Sequence, residues 1–341
     1  MDELSASRPD AVVITMSPFW LTRLVAGIQQ LGSRVILDLR DPWALDSWPG
    51  YRSWWDWRRE FRRMHDSLTA ADGFVMNTSD ALAAVLEIWP DLEAKPHEVV
   101  PNGWLRSDFP PRDEDRGSVA PGVDSPFRIV HSGTLHQDGS DDRSGLRTWL
   151  KNRLRYEPQR LDRSGRGPNH LLDAVIDLRG SGFDIEVELV GSSSGSVEAA
   201  VAARGCGDFV RMTGYLPHDV AVDRIRGADA LFLPLGGLQP GERSLIVPGK
   251  TYEYLVAGPP VVAALPDGDG RDLAERSSRA FLCQPCDPAG IAEAIRGAMD
   301  WWRRDPDERD LGIEPFMEDY ERGVLADRMR GFLGRVVGGA S

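Results

Sequence analysis

Cysteine is scarce in this chain. Three cysteines among 341 residues, Cys206, Cys283 and Cys286, are too few for the disulfide framework of a small secreted domain. Cys283 and Cys286 have the spacing of a redox pair, but they lie between a predicted strand and a helix N-cap, without the context of a thiol redox site. We therefore expect a reducing compartment and a cytoplasmic protein.

Membrane, metal and phosphoryl-transfer signatures are also missing. No apolar run approaches the roughly 20 residues of a membrane span, and no signal peptide opens the chain. The 6 histidines are scattered without metal-ligand spacing, so neither a metal nor a cofactor is predicted. No Walker lysine loop is present. A formal net charge of -13 argues against nucleic acid or an anionic membrane surface as the main partner.

Lysine is rare in this chain, and arginine supplies nearly all the other cationic side chains. The lysines are Lys95, Lys151 and Lys250. Lys250 stands where a short helix is predicted to begin, near Gly249, and Gly258 is predicted to end that helix. Glu253 lies three residues on, hence on the same face of the first turn. A cation at a helix N-terminus suits a phosphate, and the carboxylate of Glu253 could accept two ribose hydroxyls.

The hydrophobic pattern predicts two domains. Apolar strands alternate with amphipathic helices up to about residue 101, a Pro- and Gly-rich stretch follows, and the alternation resumes near residue 127. This order is typical of parallel sheets built from βαβ units. The predicted fold class is α/β, with two Rossmann-like doubly wound parallel-sheet domains facing a cleft. We assign residues 1–105 to a short N-terminal domain, 106–312 to a C-terminal domain and 313–341 to a C-terminal helix that crosses back.

Polar residues after the second predicted strand, Arg40 and Asp41, are expected at the cleft because ligands bind beyond the carboxyl ends of parallel strands. The alternative is an Arg40–Asp41 cap with Trp43 packed in the core. The tryptophans that follow (Trp48, Trp54, Trp55 and Trp57) could stack on sugar rings or serve as packing. His131 and His136 lie near a second candidate loop, where they could polarise a hydroxyl or simply pack.

A basic insert at residues 136–168 interrupts the C-terminal domain. Leu146, Leu150 and Leu154 recur four residues apart, which predicts a helix with one apolar stripe. Two interpretations stay open: a solvated surface helix, or arginines that lean over the neighbouring phosphate site or recruit an anionic acceptor.

Five motifs occur in the order of one known family: DLRDPW from Asp38, VPNG from Val100, HSGTL from His131, ELVG from Glu188 and PGKTYEYL from Pro248. As a set they resemble GT-B-fold bacterial glycosyltransferases of family 4, over about residues 10–335. The resemblance implies metal-independent transfer of a sugar, with retention of configuration, from a nucleoside-diphosphate donor of UDP or dTDP type. The donor is a co-substrate, and the acceptor is unidentified.

The resemblance also implies roles for single residues. Gly133 and Thr134 would bind the diphosphate, together with the glycine turn at Gly191. Lys250 would neutralise this leaving group, and Glu253 would hold the ribose. Tyr215 and Leu216 would flank the nucleobase. Arg40 and Asp41 would face the acceptor or the transferred sugar, which makes Lys250, Arg40 and Asp41 the predicted catalytic residues.

The chain departs from the family pattern in three places. Leu245 stands where the family has a sugar-facing glutamate, with Glu242 as a possible substitute. The usual Arg and Lys pair after the phosphate glycine is out of register, replaced by the basic insert. The resemblance also starts at the family's fourth strand, so we expect a truncated N-terminal sheet whose edge is covered by a second copy, a partner subunit or the insert. The alternative functions are a catalytically weak donor-binding subunit and a sugar-nucleotide epimerase.

Overall fold

The computed structural model describes residues 9–46, 50–110, 125–135, 155–192, 195–304 and 309–339. Its described strands form two parallel sheets, one of four strands and one of six. The α/β class with two parallel-sheet domains, as the sequence predicts, is confirmed. The stripe of Leu146, Leu150 and Leu154, together with His136 and Trp48, lies outside the described residues.

The N-terminal sheet has the order β1-β2-β3-β4. Its interior strands carry continuous apolar runs because helices and the final segment of the chain cover both faces. The strands are β1 (Ala11–Met16), β2 (Arg34–Leu39), β3 (Gly73–Met76) and β4 (His97–Val99), and the helices are α1 (Val25–Gln30), α2 (Trp54–Ala70) and α3 (Ser79–Ile88). The side chains of Ser53 and Thr78 cap α2 and α3 by accepting from Asp56 N and Ala81 N.

The C-terminal sheet has the order β10-β9-β8-β5-β6-β7. The strand order reverses next to β5, so the carboxyl ends of β5 and β8 lie at a switch point where a crevice forms. The strands are β5 (Phe127–Ser132), β6 (Ile185–Val190), β7 (Val210–Gly214), β8 (Ala230–Pro234), β9 (Val261–Ala264) and β10 (Ala280–Cys283). The helices are α4 (Asn169–Gly180), α5 (Gly195–Ala203), α6 (His218–Arg226), α7 (Lys250–Val256), α8 (Asp269–Glu275) and α9 (Pro288–Trp302).

The last helix, α10 (Arg322–Gly338), packs on the N-terminal sheet. Leu325, Phe332 and Val336 are buried in one cluster with Ile36 and Val75 of that sheet. The sequence pattern predicts one helix over residues 316–336, and this is wrong at its start. A 3-10 helix (Pro315–Tyr320) comes first, and Glu321 is extended because its backbone pairs with Trp104 and its carboxylate caps α10.

Two further elements differ from the sequence-based expectation. The helix predicted over residues 19–31 is a 3-10 helix (Phe19–Leu24) followed by the short α1. Helices α5 and α8 have no clear apolar periodicity and were not predicted. The predicted N-cap and N1 pair of Asp287 and Pro288 is confirmed, since the Asp287 carboxylate accepts from Ala289 N at 3.1 Å.

The two domains contact each other through the N-termini of α3 and α8. Asp80 N donates to the Asp269 carboxylate at 2.9 Å, and Asp269 N donates to the Asp80 carboxylate at 2.7 Å. Arg243 bridges Asp80 and Asp272 at 2.8 and 2.5 Å and offsets the repulsion between these carboxylates. Each domain therefore caps a helix of the other.

The crossing of the chain between domains depends on Gly103. A side chain there would overlap the backbone carbonyl of Tyr320 and lie 2.6 Å from Leu325 Cδ1. We expect Gly103→Ala to lower the free energy of unfolding by about 1–3 kcal/mol, as overpacking does. Gly180→Ala, where no atom lies within 4 Å, is the matched control and should be neutral or slightly stabilising. Chemical denaturation of both variants measures this; equal stabilities would contradict the packing argument.

Candidate functional site

Three glycine turns meet where β5, β6 and β7 end. Gly133 has a φ of 115°, and its N–H donates to Val190 O at 2.7 Å. Gly191 has a φ of 129° and donates to Gly214 O at 3.0 Å. A Cβ on Gly191 would lie 2.9 Å from Gly133 O, so the turns are packed backbone against backbone. Gly133 and Thr134 are exposed, and their loop is open to a ligand.

Lys250 lies directly across this loop. A Cβ added to Gly133 would be 2.5 Å from Lys250 Nζ. Burial, and then the charge of Arg166, lower the pKa of the ammonium to about 8, while Glu253 opposes this. Because α7 has only 7 residues, its macrodipole is small, and the positive charge at this place comes from Lys250 itself. The sequence analysis attributed part of the positive charge to the helix N-terminus, and the short length of α7 corrects this.

Glu253, one turn further along α7, lines a cleft of about 630 Å³ between the domains. Burial raises the pKa of its carboxyl, and the charges of His218 and Arg322 lower it. Arg40 and the turn at Asn102 and Gly103 form the opposite wall. The structure thus brings Arg40 and Glu253 to one cleft, whose lining residues do not include Lys250 or Gly133.

Arg40 is held from behind by a buried carboxylate. Its Nε donates to Asp38 Oδ2 at 3.0 Å, its Nη1 donates to Val100 O at 3.3 Å, and Asn77 donates to its backbone carbonyl. Asp41, in contrast, is exposed and is not among the lining residues of this cleft. Burial raises the pKa of Asp41 and the charge of Arg166 lowers it. The suggested Arg40–Asp41 cap is replaced by the Arg40–Asp38 pair.

The aromatic residues divide between packing and exposure. Trp43 is buried, stacks on Phe19 at 4.7 Å and donates to Glu60, so it belongs to the core. Trp57 packs on Phe61 and Tyr156. Trp55 is 76% exposed and Tyr215 is 81% exposed, while Leu216 packs partly buried against the core of the C-terminal domain. The flanking role predicted for Tyr215 and Leu216 stays a prediction.

Leu245, at the position of the expected glutamate, is a contact between domains. Its side chain packs against the N-terminal core, and its carbonyl accepts from Thr78 Oγ1 at 2.9 Å. Glu242 accepts from the backbone N–H of Gln239 at 3.3 Å. The carboxylate of Glu242 is therefore engaged in its own turn.

Sequence reasoning missed the basic residue Arg322 near the site, and it anticipated Arg166 only as one arginine of the basic insert. Arg322, the first residue of α10, lines the cleft beside Glu253, and nothing in its sequence context indicates this. Arg166 is the last residue of a 3-10 helix (Arg163–Arg166) in the basic insert. Its positive charge lowers the pKa of both Lys250 and Asp41. The basic composition of the insert was the available signal. Among the described residues, no group of three or more His, Cys, Asp or Glu could hold a metal ion.

Comparisons with known proteins agree with this geometry. Residues 159–300 match the family model described as glycosyl transferases group 1. A 2-deoxystreptamine glucosyltransferase of Streptomyces kanamyceticus is 29% identical over 137 residues, which are 40% of this chain and 33% of that protein. The match thus spans about a third of the length of this curated relative.

Two solved structures share the fold over nearly the whole chain. Sucrose-phosphate synthase from Thermosynechococcus elongatus has a TM-score of 0.67 at 16% identity, covering 100% of this chain and 76% of its own. Anabaena HepE, solved in complex with UDP and glucose, has a TM-score of 0.64 at 13% identity, covering 98% of this chain and 80% of its own.

The two facing parallel-sheet domains with a cleft between them have the GT-B fold. Within the C-terminal domain, residues 159–300 are similar to the group 1 glycosyltransferases. The resemblance read from the five sequence motifs is confirmed. No helix of the described residues is long and apolar enough to cross a membrane.

The contact between Gly133 and Lys250 can be tested with a pair of glycine variants. Gly133→Ala and Gly182→Ala both place a side chain at positive φ, and both should lose about 1 kcal/mol of stability. Only Gly133→Ala should displace the ammonium of Lys250, because no atom lies within 4 Å of a Cβ at Gly182. Lysine ε-carbon NMR follows this displacement as a shift of one of three signals. An unmoved signal in Gly133→Ala would refute the contact.

Proposed function

We propose that this chain transfers a hexose from a UDP- or dTDP-type sugar donor to an acceptor bound in the interdomain cleft. The observation that carries the proposal is the placement of Lys250 against the exposed Gly133 loop, with Glu253 one turn further along α7 at the wall of the interdomain cleft. A cation beside an exposed glycine loop suits a diphosphate, and a carboxylate one helical turn away suits a ribose.

The proposed mechanism assigns the main charge stabilisation to Lys250. As the bond between the sugar and the diphosphate breaks, negative charge grows on the diphosphate, and an ammonium in a partly dry site stabilises that charge best. The backbone N–H and hydroxyl of Thr134 would orient the diphosphate. Gly133, whose own N–H donates to Val190 O, would let the phosphates approach the loop closely, with the Gly191 turn supporting it. Because Lys250 would supply this positive charge, we propose that transfer needs no divalent cation, and that configuration is retained.

Glu253 would hold the donor by its ribose. Its carboxylate would accept from two vicinal hydroxyls, an arrangement that favours a ribonucleotide over its deoxy counterpart. Tyr215 and Leu216 would lie at the base. On the opposite wall, Arg40 would face the acceptor or the transferred sugar, braced by Asp38. Asp41 would act there only after a movement of its loop, since it lies outside the described cleft.

Two features of the relatives support a sugar nucleotide as donor. One neighbour in fold was solved with UDP and glucose, and the curated relative that matches 137 residues of this chain is named for glucosyl transfer. Leu245 supports a different candidate, a catalytically weak donor-binding subunit. At that position an apolar contact with the N-terminal core replaces the expected carboxylate.

Removal of the ammonium should remove most of the nucleotide affinity. We expect Lys250→Met to weaken UDP binding about 10- to 100-fold, because a charge-assisted contact to phosphate contributes about 1.5–3 kcal/mol. Lys95→Met is the matched control: Lys95 is also half-buried, and burial also lowers its pKa, but it donates to Ala71 O in the N-terminal domain. Calorimetric titration with UDP, dTDP and GDP measures the effect. UDP affinity that survives Lys250→Met would place the nucleotide elsewhere.

The pH dependence of binding follows from the same residue. The pKa of Lys250 is lowered to about 8 in the empty site, so the ammonium is charged below that pH and loses its proton above it. UDP affinity should therefore be highest below pH 8 and fall as the pH rises through this value. A constant affinity from about pH 7 to pH 9.5 would contradict this assignment.

Turnover distinguishes an enzyme from a binding subunit. A transferase should release UDP slowly from UDP-glucose or UDP-galactose with water as acceptor, with or without EDTA, and the anomer of the released sugar is read by NMR. Lys250→Met should abolish this release. UDP binding without any release would favour the binding subunit. Conversion of UDP-N-acetylglucosamine into its 2-epimer, tested in parallel, would favour the epimerase.

A further inference from the structure

The imidazole of His131 touches Lys250 and is otherwise enclosed. His131 is 1% exposed at the carboxyl end of β5. Its Nδ1 lies 2.9 Å from Phe232 O, and its Nε2 lies 3.4 Å from Lys250 Nζ. A carbonyl oxygen can only accept, so Nδ1 carries the proton and the Nε2 lone pair faces the ammonium.

The surroundings keep this imidazole neutral. Burial, followed by the charge of Lys250, holds the pKa of His131 well below its usual range. A neutral ring with its lone pair on the ammonium favours the charged lysine. The other charges that act on Lys250 are Glu253 on its own helix and Arg166 in the 3-10 helix of the insert, and they oppose each other.

The same helix fixes the loop at a second point. Tyr254, one turn after Lys250 and fully buried, accepts from Ser132 N at 2.7 Å. The neighbouring residues His131 and Ser132 are thus held by Lys250 and Tyr254, four residues apart on α7. These two contacts hold the end of β5 against α7, so that the ammonium of Lys250 lies next to Gly133.

We propose that His131 is a positioning residue, which holds the ammonium of Lys250 against the Gly133 loop by accepting its hydrogen bond through Nε2. The inference rests on the proposed function for its consequence, since the ammonium so placed would meet the donor diphosphate. Without the acceptor, Lys250 loses both its fixed orientation and part of the support for its charge.

Two substitutions separate the two hydrogen bonds of the ring. In His131→Asn the side-chain amide can still donate to Phe232 O but cannot reach Lys250. In His131→Gln the amide oxygen replaces Nε2 toward Lys250, and the donor to Phe232 O is lost. If the role of His131 is only structural, His131→Asn should be the milder substitution. If His131 positions Lys250, His131→Gln should be the milder one.

The first readout is independent of any nucleotide. Protein labelled with [ε-13C]lysine should give three signals, assigned with Lys95→Arg and Lys250→Arg. We expect the titration of Lys250 to move down by about one pKa unit in His131→Asn, the size of one hydrogen bond to a charged group. It should stay near the wild-type value in His131→Gln. Tyr254→Phe is the control: it loosens the loop without removing the Lys250 acceptor, so the titration should not move.

The second readout is UDP affinity at pH 8. It should fall about tenfold in His131→Asn, and His131→Gln should restore most of it. An unchanged lysine titration in His131→Asn, or a larger shift in His131→Gln, would overturn the proposal whatever the nucleotide does. A shifted titration with unchanged UDP affinity would instead support the positioning contact and reject Lys250 as the donor's cation.

Discussion

The structure depends on an ammonium group that is removed from bulk water before any ligand binds. Holding a cation in such a place is unfavourable unless nearby groups accept its hydrogen bonds. Lys250 meets this condition through the Nε2 lone pair of His131, 3.4 Å from its Nζ, and the negative charge of Glu253 on its own helix raises its pKa. The cost of drying the charge is therefore incurred during folding, and an incoming anion meets a charge that is already oriented. Electrostatic preorganisation of this kind is the strongest form of charge stabilisation available to an enzyme.

The architecture supplies that arrangement from chain segments far apart in sequence. The Gly133 loop follows β5, Lys250 begins α7, and the Arg40 side chain follows β2 of the other domain. All three follow from one geometrical fact, that the carboxyl ends of parallel strands open toward the same cleft. The final segment then completes the cleft, because α10 carries Arg322 back across the gap.

Local patterns were sufficient for the sheets and for part of the candidate site. Buried strands gave unbroken apolar runs, and the Lys250 and Glu253 spacing fixes their common face without tertiary information. The cleft position of Arg322 and the lone pair of His131 could not be read from the sequence, because they depend on the path of the final helix or on the register between distant strands. The pairing of Arg40 with Asp38 joins residues two apart at the end of β2, and the sequence analysis overlooked it. Leu245 shows the same limit: its departure from the family pattern was visible, but its packing against the N-terminal core was not.

The reciprocal capping of α3 and α8 bears on how the molecule can move. A backbone N–H group at the N-terminus of each of these helices donates to a carboxylate of the opposite domain. A wide separation of the domains would break both of these hydrogen bonds together, at roughly 0.5–2 kcal/mol for each, and α3 would keep only its Thr78 cap. A rotation about this contact would keep both hydrogen bonds, and Arg243, which bridges Asp80 and Asp272, would stay with it. We therefore expect the α3–α8 contact to persist in any movement that opens the cleft.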